Sequence, residues 1–331
     1  MSDKEKFHVS GPSQLPSTID WSSLCDQKSV AASLVRGAYV LELDRLQKRQ
    51  GAEALAHPWW EGFGFKLSEV LEDNRSTIFG AVLVYDHLIQ NQQYQPSCVV
   101  AFRGTNTKDI AGFIRDTNVN FCIGIHTLHE TDRFERAREA VRGAVNAFGI
   151  DNVWIAGHSQ GAATALLVGK DMAKGHGGGN PFPLKAFLFN PPFVGSTNRI
   201  GRSLVGVLVE VARTFRIDDG DDEAAFAACS CWHPHLFVHP KDFLCRGYIK
   251  YFERRRMPTA QYTLRGLLLG ADSTHLIASA VLVVNHTLAP LAHWKKAHGI
   301  YQWWRPEIEL RAHKYTFNLN QPFSTQEFPV S

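Results

Sequence analysis

The stretch that decides the fold covers residues 153–165 and reads Val-Trp-Ile-Ala-Gly-His-Ser-Gln-Gly-Ala-Ala-Thr-Ala. An apolar run typical of a buried strand leads into Gly157-His158-Ser159-Gln160-Gly161, and small residues typical of a helix start follow. A serine raised above the edge of a sheet needs a very tight strand-to-helix turn. Side chains two positions away on either side would collide there, which explains the two glycines. This nucleophile-elbow pattern nominates Ser159 as a catalytic serine.

Composition limits the classes of function that the chain can have. With 331 residues it is long enough for one large α/β domain or two small ones. It carries 35 basic and 32 acidic residues, and this net charge of +3 offers no electrostatic footprint for nucleic acid. The first ten residues contain no apolar run, and the longest lipophilic stretch, residues 276–284, is far too short to span a bilayer. We therefore expect a cytoplasmic protein without a signal peptide or a transmembrane segment.

The cysteines do not indicate a disulfide framework or a metal site. Six of them are scattered along the chain, a distribution that favours reduced thiols. One group contains the thiolate and imidazole ligands that suit zinc, namely Cys229, Cys231, His233, His235 and Cys245. Its spacing does not match the Cys-x-x-Cys type, and Pro234 restricts the local geometry. We expect no metal and no organic cofactor.

Segments of strand and helix character alternate along the chain. Helical spacing covers residues 29–49 and 133–148, and strand patterns cover residues 77–85, 97–102, 184–189 and 235–239. This alternation predicts a mostly parallel central sheet with helices on both faces. We predict one structural domain with three parts: an N-terminal helical and aromatic extension packed on the core (1–76), the α/β core (77–305) and a C-terminal tail (306–331). The helix of the extension is expected to contribute packing and no chemistry.

A serine nucleophile needs a base, a carboxylate that orients the base, and donors for the oxyanion. Asp242 directly follows the predicted strand 235–239, and catalytic groups favour the carboxyl ends of strands. Its rivals are Asp218, Asp219, Asp221, Asp222 and Asp272. Periodicity does not choose among the downstream histidines, which are His275, His286, His293, His298 and His313.

Three blocks together resemble the class 3 lipases of the α/β-hydrolase fold: Val99-Val-Ala-Phe-Arg-Gly-Thr105, the elbow around Ser159, and the strand that carries Asp242. The resemblance implies Thr105 and Gln160 as oxyanion-hole residues through their backbone N–H groups. The segment Asp242-Phe243-Leu244 is similar to the family's catalytic Asp segment. The family's catalytic His opens a C-terminal His-x-x-x-aromatic segment, to which residues 298–304 are the most similar stretch. The resemblance thus implies a triad of Ser159, Asp242 and His298, with His293 as the rival base.

The resemblance covers roughly residues 77–305 and has two departures. Gln160 and Ala162 stand where family elbows usually have Leu and Gly, so a polar side chain borders the acyl site. The segment aligned with the lipase lid, residues 106–116, is poor in apolar side chains, which argues against interfacial activation. Both ends look like the extensions of the plant lipase-like branch of the family. Members of that branch are sometimes labelled GDSL esterases, yet this chain contains no Gly-Asp-Ser-Leu block.

The resemblance implies a carboxylic-ester hydrolase, a lipase or esterase, that acts on acyl lipids or small lipophilic esters through an acyl-enzyme. The alternative is a lipase-like signalling or scaffold protein with weak or no catalysis, because fold does not imply function. Acyl transfer to an alcohol other than water would use the same residues. The sequence leaves open the acyl-chain and head-group preference, the oligomeric state and any peripheral contact with a membrane.

Overall fold

The computed structural model describes residues 18–55, 59–86, 92–105, 131–175, 183–193, 227–255, 277–287, 294–305, 308–318 and 321–330. Within these residues the strands are β1 (Phe65–Glu72), β2 (Ile78–Tyr85), β3 (Cys98–Phe102), β4 (Val153–His158), β5 (Lys185–Phe189), β6 (His235–Val238), β7 (Ala280–Asn285), β8 (Leu310–Asn318) and β9 (Gln321–Pro329). The helices are α1 (Leu24–Gln47), α2 (Asp132–Phe148), α3 (Gln160–Ala173), α4 (Gly247–Arg255) and α5 (Trp294–His298). Short 3-10 helices cover Gly51–Glu53, Trp59–Phe63, Ile150–Asn152, Cys229–Cys231 and Ile300–Trp304.

All nine described strands form one mixed sheet, and their order in the sheet is their order in the chain. The central strands β3 to β7 pair in parallel, whereas β1, β2, β8 and β9 add antiparallel pairs at the two edges. Crossovers between parallel strands are right-handed, so strands in sequential order receive their crossover helices on the same face. Accordingly, α2, α3 and α4 contribute to one core cluster on that face.

The opposite face of the sheet is covered by the N-terminal helix. The apolar side chains of α1 pack with those of the 3-10 helix Ile300–Trp304 in a second core cluster, which confirms helices on both faces of an α/β-hydrolase fold. The sequence predicted this helix for residues 29–49, but it begins at Leu24. Ser23 supplies the N-cap by accepting a hydrogen bond from the backbone N–H of Asp26 (3.4 Å).

Two stretches outside the predicted core belong to the sheet. β1 lies in the predicted extension 1–76, and β8 and β9 lie in the predicted tail 306–331. β8 pairs with β7 from Leu310 to Tyr315, so the C-terminal segment completes one side of the sheet. The boundaries at residues 76 and 305 therefore do not coincide with its edges. These strands escaped prediction because they face solvent on one side and carry charged residues such as Glu69 and Lys314.

Among the described residues, no helix is both long enough and apolar enough to cross a membrane. Five cysteines among the described residues are free thiols, namely Cys25, Cys98, Cys229, Cys231 and Cys245. Cys122 lies outside the described residues.

A buried carboxylate joins α1 to the sheet. Glu42 is 4% exposed, and its oxygens accept hydrogen bonds from the Arg45 guanidinium (2.7 and 2.8 Å) and from the backbone N–H of Ile78 (3.0 Å). The buried guanidinium of Arg103 lies 3.6 Å from the same carboxylate and donates to the carbonyl of Gly104 (2.6 Å). Because Arg103 precedes Gly104 and Thr105, this pair anchors the loop that follows β3.

Replacement of Glu42 should destabilise the fold strongly. Glu42→Ala leaves the buried Arg103 without its counter-charge, and we expect the free energy of unfolding to fall by about 3–5 kcal/mol. Arg45→Ala is the matched control, because it removes a partly exposed partner of the same carboxylate and should cost less than about 1 kcal/mol. Urea unfolding of both variants measures the difference. Equal losses in the two variants would contradict a stabilising role for the Arg103 contact.

Candidate active site

Ser159 lies in a strained turn between β4 and α3. Its φ of 55° and ψ of −123° belong to a region that residues other than glycine rarely adopt. Its backbone N–H donates to the carbonyl of Phe189 (3.0 Å), which joins the turn to β5. An added Cβ at Gly157 would lie 2.3 Å from the Gly161 carbonyl oxygen, and one at Gly161 would lie 2.3 Å from the Phe102 carbonyl oxygen. Backbone approach therefore requires both glycines of the motif.

The three side chains predicted as a triad form one hydrogen-bonded chain. His298 Nε2 lies 3.0 Å from Ser159 Oγ, and His298 Nδ1 lies 2.8 Å from Asp242 Oδ2. Ser159 and Asp242 are 0% exposed and His298 is 4% exposed. A carboxylate only accepts, so Nδ1 carries the proton and Nε2 is free to accept the serine O–H. This arrangement has the geometry of a nucleophile, a base and an orienting acid.

His298 is the last residue of α5, and the aromatic residues of the predicted segment lie on the 3-10 helix Ile300–Trp304 that follows it. Among the described residues, His298 Nε2 is the hydrogen-bond partner of Ser159 Oγ. The rival His313 lies on β8 with Nε2 3.7 Å from Glu327 Oε2, and His286 follows β7. The other rivals lie outside the described residues: His275, His293, Asp218, Asp219, Asp221, Asp222 and Asp272.

Four donors surround the carboxylate of Asp242. Its Oδ2 accepts from His298 Nδ1 (2.8 Å), Asn190 Nδ2 (2.8 Å) and the Cys245 thiol (3.2 Å). Its Oδ1 accepts from the backbone N–H of Leu244 (3.0 Å). Burial alone would raise the pKa of Asp242, but the adjacent His298 and these hydrogen bonds outweigh it and hold the pKa below its usual value. The carboxylate is therefore ionised at neutral pH.

The loop after β3 lies directly against the elbow. An added Cβ at Gly104 would lie 2.7 Å from the His158 carbonyl oxygen and 2.8 Å from Ser159 Cβ. The Thr105 hydroxyl donates to Gln160 Oε1 (3.1 Å), so the two predicted oxyanion residues contact each other through their side chains. Gln160 is the first residue of α3, where backbone N–H groups have no partner inside the helix. The unusual polar residue of the elbow thus holds the threonine of the preceding loop.

A side chain of α1 also joins the site. Tyr39 Oη accepts a hydrogen bond from the backbone N–H of Gly104 (2.7 Å) and lies 2.7 Å from His158 Nδ1. His158 Nε2 lies 2.7 Å from the carbonyl oxygen of His298. A carbonyl only accepts, so Nε2 carries the proton and Nδ1 accepts the tyrosine O–H. This chain of hydrogen bonds links the loop before Thr105 to the backbone of the candidate base.

Burial keeps the two side chains of this link uncharged. It raises the pKa of Tyr39 to about 12. Burial, and then the neighbouring His298, lower the pKa of His158 to about 3. Neither role was predicted from the sequence, because Tyr39 falls on the buried face of a helix like its apolar neighbours and the contacts of His158 span more than a hundred residues.

Two of the residues considered for zinc have other hydrogen-bond partners. Cys245 Sγ donates to Asp242, and His233 Nε2 lies 3.0 Å from Thr316 Oγ1. Within the described ranges, no group of three or more His, Cys, Asp or Glu side chains is placed to hold a metal ion.

Comparison with known proteins identifies the family. The sequence profile of the family described as Lipase (class 3) matches residues 99–200, a range that includes Thr105, Ser159 and Gln160. A protein of Arabidopsis thaliana named GDSL esterase/lipase is 36% identical, over 96% of this chain and 99% of the relative. The chain belongs to the class 3 lipase family.

Among solved structures, the protein is similar to a lipase from Rhizopus microsporus var. chinensis (15% identity, TM-score 0.41, 80% of this chain and 75% of that chain). It is also similar to lipase II from Rhizopus niveus (19% identity, TM-score 0.37, 66% of this chain and 73% of that chain).

Removal of the Tyr39 hydroxyl should slow any reaction at Ser159. Tyr39→Phe keeps the ring but leaves the backbone N–H of Gly104 without its acceptor, and we expect roughly a tenfold loss, the equivalent of one hydrogen bond. The rate of covalent labelling of Ser159 by a fluorophosphonate measures the effect. Tyr94→Phe is the control, because Tyr94 is 60% exposed and its variant should react at the wild-type rate. An unchanged rate in Tyr39→Phe would contradict the proposed link.

The buried His158 should make stability depend on pH. The pKa of His158 is about 3 in the folded protein and 6.5 is its ordinary value, so only the unfolded chain takes up this proton between those values. We therefore expect the free energy of unfolding to fall below pH 6.5, with about 1.4 kcal/mol per pH unit due to His158. Urea unfolding at pH 7, 6 and 5 should show a shallower slope in His158→Gln. Tyr39→Phe retains His158 and should keep the wild-type slope, and equal slopes in wild type and His158→Gln would overturn the assignment.

Proposed function

We propose that the protein is a serine carboxylic-ester hydrolase, a lipase or esterase, that acts on acyl lipids or small lipophilic esters. The observation that carries this proposal is the hydrogen-bonded chain from Ser159 Oγ through His298 to Asp242, set on a strained elbow. Membership in the class 3 lipase family and the name of the Arabidopsis relative support an ester as the substrate.

The first half of the proposed reaction acylates the serine. Ser159 Oγ attacks the ester carbonyl carbon, and its proton passes to His298 Nε2. Asp242 stays ionised and stabilises the imidazolium through the Nδ1–H bond. The backbone N–H groups of Thr105 and Gln160 donate to the oxyanion of the tetrahedral intermediate. When that intermediate collapses, the alcohol leaves with the proton from His298 and the acyl group remains on Ser159.

The second half releases the acid. A water molecule attacks the acyl carbon and gives a proton to His298 Nε2, and the acid leaves when Ser159 Oγ regains that proton. An alcohol in place of water would turn the same residues to acyl transfer. This scheme uses no metal and no organic cofactor.

A second candidate is a lipase-like signalling or scaffold protein without turnover. One observation favours it: Ser159 is 0% exposed, which is unusual for a nucleophile that must meet a substrate. The two candidates differ in whether the serine ever reacts.

Intact-mass analysis after exposure to a fluorophosphonate separates the candidates. We expect one covalent adduct on wild type and none on Ser159→Ala, because the buried triad activates this serine. Asp242→Asn should be labelled roughly ten-thousand-fold more slowly, since the imidazole loses its orienting carboxylate. Ser279→Ala is the matched control, because Ser279 is also fully buried but its Oγ accepts from the backbone N–H of Phe317 (2.9 Å), so its variant should keep the adduct.

Two outcomes would contradict this proposal. No adduct on well-folded wild type would favour the binding protein without turnover. An adduct that survives in Ser159→Ala would place the nucleophile at another residue. If the adduct behaves as expected, hydrolysis of p-nitrophenyl esters of increasing chain length defines the acyl preference.

A further inference from the structure

A buried asparagine contacts both the candidate carboxylate and the segment that carries the candidate base. Asn190 directly follows β5 and is 0% exposed. Its Nδ2 lies 2.8 Å from Asp242 Oδ2 and 3.0 Å from the carbonyl oxygen of Ala297, the residue before His298. A primary amide has two N–H groups, so it can donate to both acceptors at once. One side chain therefore connects the two segments that supply the acid and the base.

Trp303 holds the amide in this orientation. The indole Nε1–H donates to Asn190 Oδ1 (2.7 Å), and an indole nitrogen only donates. The amide oxygen must therefore face Trp303, which turns the nitrogen toward its two acceptors. Trp303 is itself 0% exposed and packs against Phe237 and Phe189, with ring centroids 5.5 and 6.1 Å away. Rotation of the amide would break these three hydrogen bonds and a weaker contact from Nδ2 to Cys245 Sγ (3.6 Å).

The backbone at position 190 restricts which residues can stand there. Asn190 has a φ of 47°, a left-handed conformation that glycine and asparagine tolerate best. Its backbone N–H donates to the carbonyl of Phe237 (2.8 Å), which joins the ends of β5 and β6. Glycine would fit this backbone equally well but would carry no amide. Asparagine satisfies the backbone and supplies the donors.

From these contacts we propose that Asn190 is a positioning residue of the triad: its amide, aligned by Trp303, holds Asp242 and the segment of His298 in the geometry for proton transfer. This role rests on the proposed hydrolase function. It belongs to neither the nucleophile elbow nor the oxyanion loop, which are the motifs that the sequence shows.

The amide also stabilises the charge on Asp242. Burial raises the pKa of Asp242, and the hydrogen bond from Asn190 is one of the contacts that more than compensate for it. Without this donor the pKa of Asp242 rises. The other titratable groups that face the carboxylate remain in place when residue 190 changes; they are His298, Cys245, His239 and His158.

Asn190→Gly tests the role, because it keeps the backbone conformation and removes only the amide. We expect the second-order rate constant of fluorophosphonate labelling to fall roughly 10- to 100-fold, the effect of one hydrogen bond to a charged group. The acid limb of the pH–rate profile should move to higher pH, because the Asp242 carboxylate loses a donor that stabilises its charge. With a p-nitrophenyl ester, kcat should fall more than KM rises, since Asn190 does not contact the substrate.

Two tryptophan variants provide a matched pair. Trp303→Phe keeps the aromatic packing but releases the amide oxygen, and it should shift the acid limb in the same direction as Asn190→Gly. Trp232→Phe also removes an indole N–H from a buried tryptophan, but that N–H donates to the carbonyl of Leu184 (2.7 Å) at the start of β5. Trp232→Phe should lower stability and leave the pH–rate profile unchanged.

A readout that does not need turnover separates this proposal from the proposed function. The downfield proton resonance of His298 Nδ1–H should move in Asn190→Gly and in Trp303→Phe but not in Trp232→Phe. If that pattern appears while wild type forms no fluorophosphonate adduct, the hydrolase function fails and the positioning role stands. If Asn190→Gly keeps the wild-type resonance and acid limb, or if Trp232→Phe shifts them as much as Trp303→Phe does, the positioning role is wrong.

Discussion

The whole site depends on one constraint, the shared edge at which the parallel strands end. Parallel strands in register present their carboxyl ends together, so residues far apart in the chain meet there. Each strand from β3 to β6 is followed by one part of the site, in chain order: Gly104 and Thr105, Ser159, Asn190 and Asp242. The segment after β7 adds His298. The residues that follow each strand therefore determine which functional groups the site contains, and the strand arrangement of the sheet determines the distances between those groups.

Sequential strand order also explains why the N-terminal helix is part of the domain. Because the described crossover helices share one face of the sheet, the described cover of the other face comes from α1 together with the 3-10 helices Trp59–Phe63 and Ile300–Trp304. A helix in that position lies beneath the site. The Tyr39 hydroxyl accepts a hydrogen bond from the loop before Thr105, and the Glu42 carboxylate forms an ion pair with Arg103 on the same loop. Helix α1 therefore covers the core and also holds the loop that carries the candidate oxyanion residue Thr105. The second role goes beyond the packing role that was predicted for this helix.

The sequence predicted the parts of the site whose causes are local. The glycines around Ser159 are a steric requirement of one turn. Asp242 follows a strand that is predicted from the apolar pattern of the strand residues. The roles of His298 and Thr105 were assigned through the resemblance to class 3 lipases. Periodicity did not distinguish His298 from the other downstream histidines. Asn190 and Tyr39 were missed because their partners are distant in the chain, although the position of Asn190 directly after a buried strand was a usable signal. The strands β1, β8 and β9 were missed because their solvent-facing residues dilute the apolar alternation.

The order of synthesis gives the position of α1 a consequence for folding in the cell. This helix leaves the ribosome early, yet its final partners include Trp303, about 250 residues after Gln47. At roughly 5–20 residues per second, synthesis of that stretch takes on the order of 10–50 seconds. During that time the apolar face of α1 lacks the part of its cover that Trp303 and its neighbours supply. Completion of the site therefore waits for the segment that carries His298 and Trp303, and a product that stops before it would carry the elbow without a formed triad.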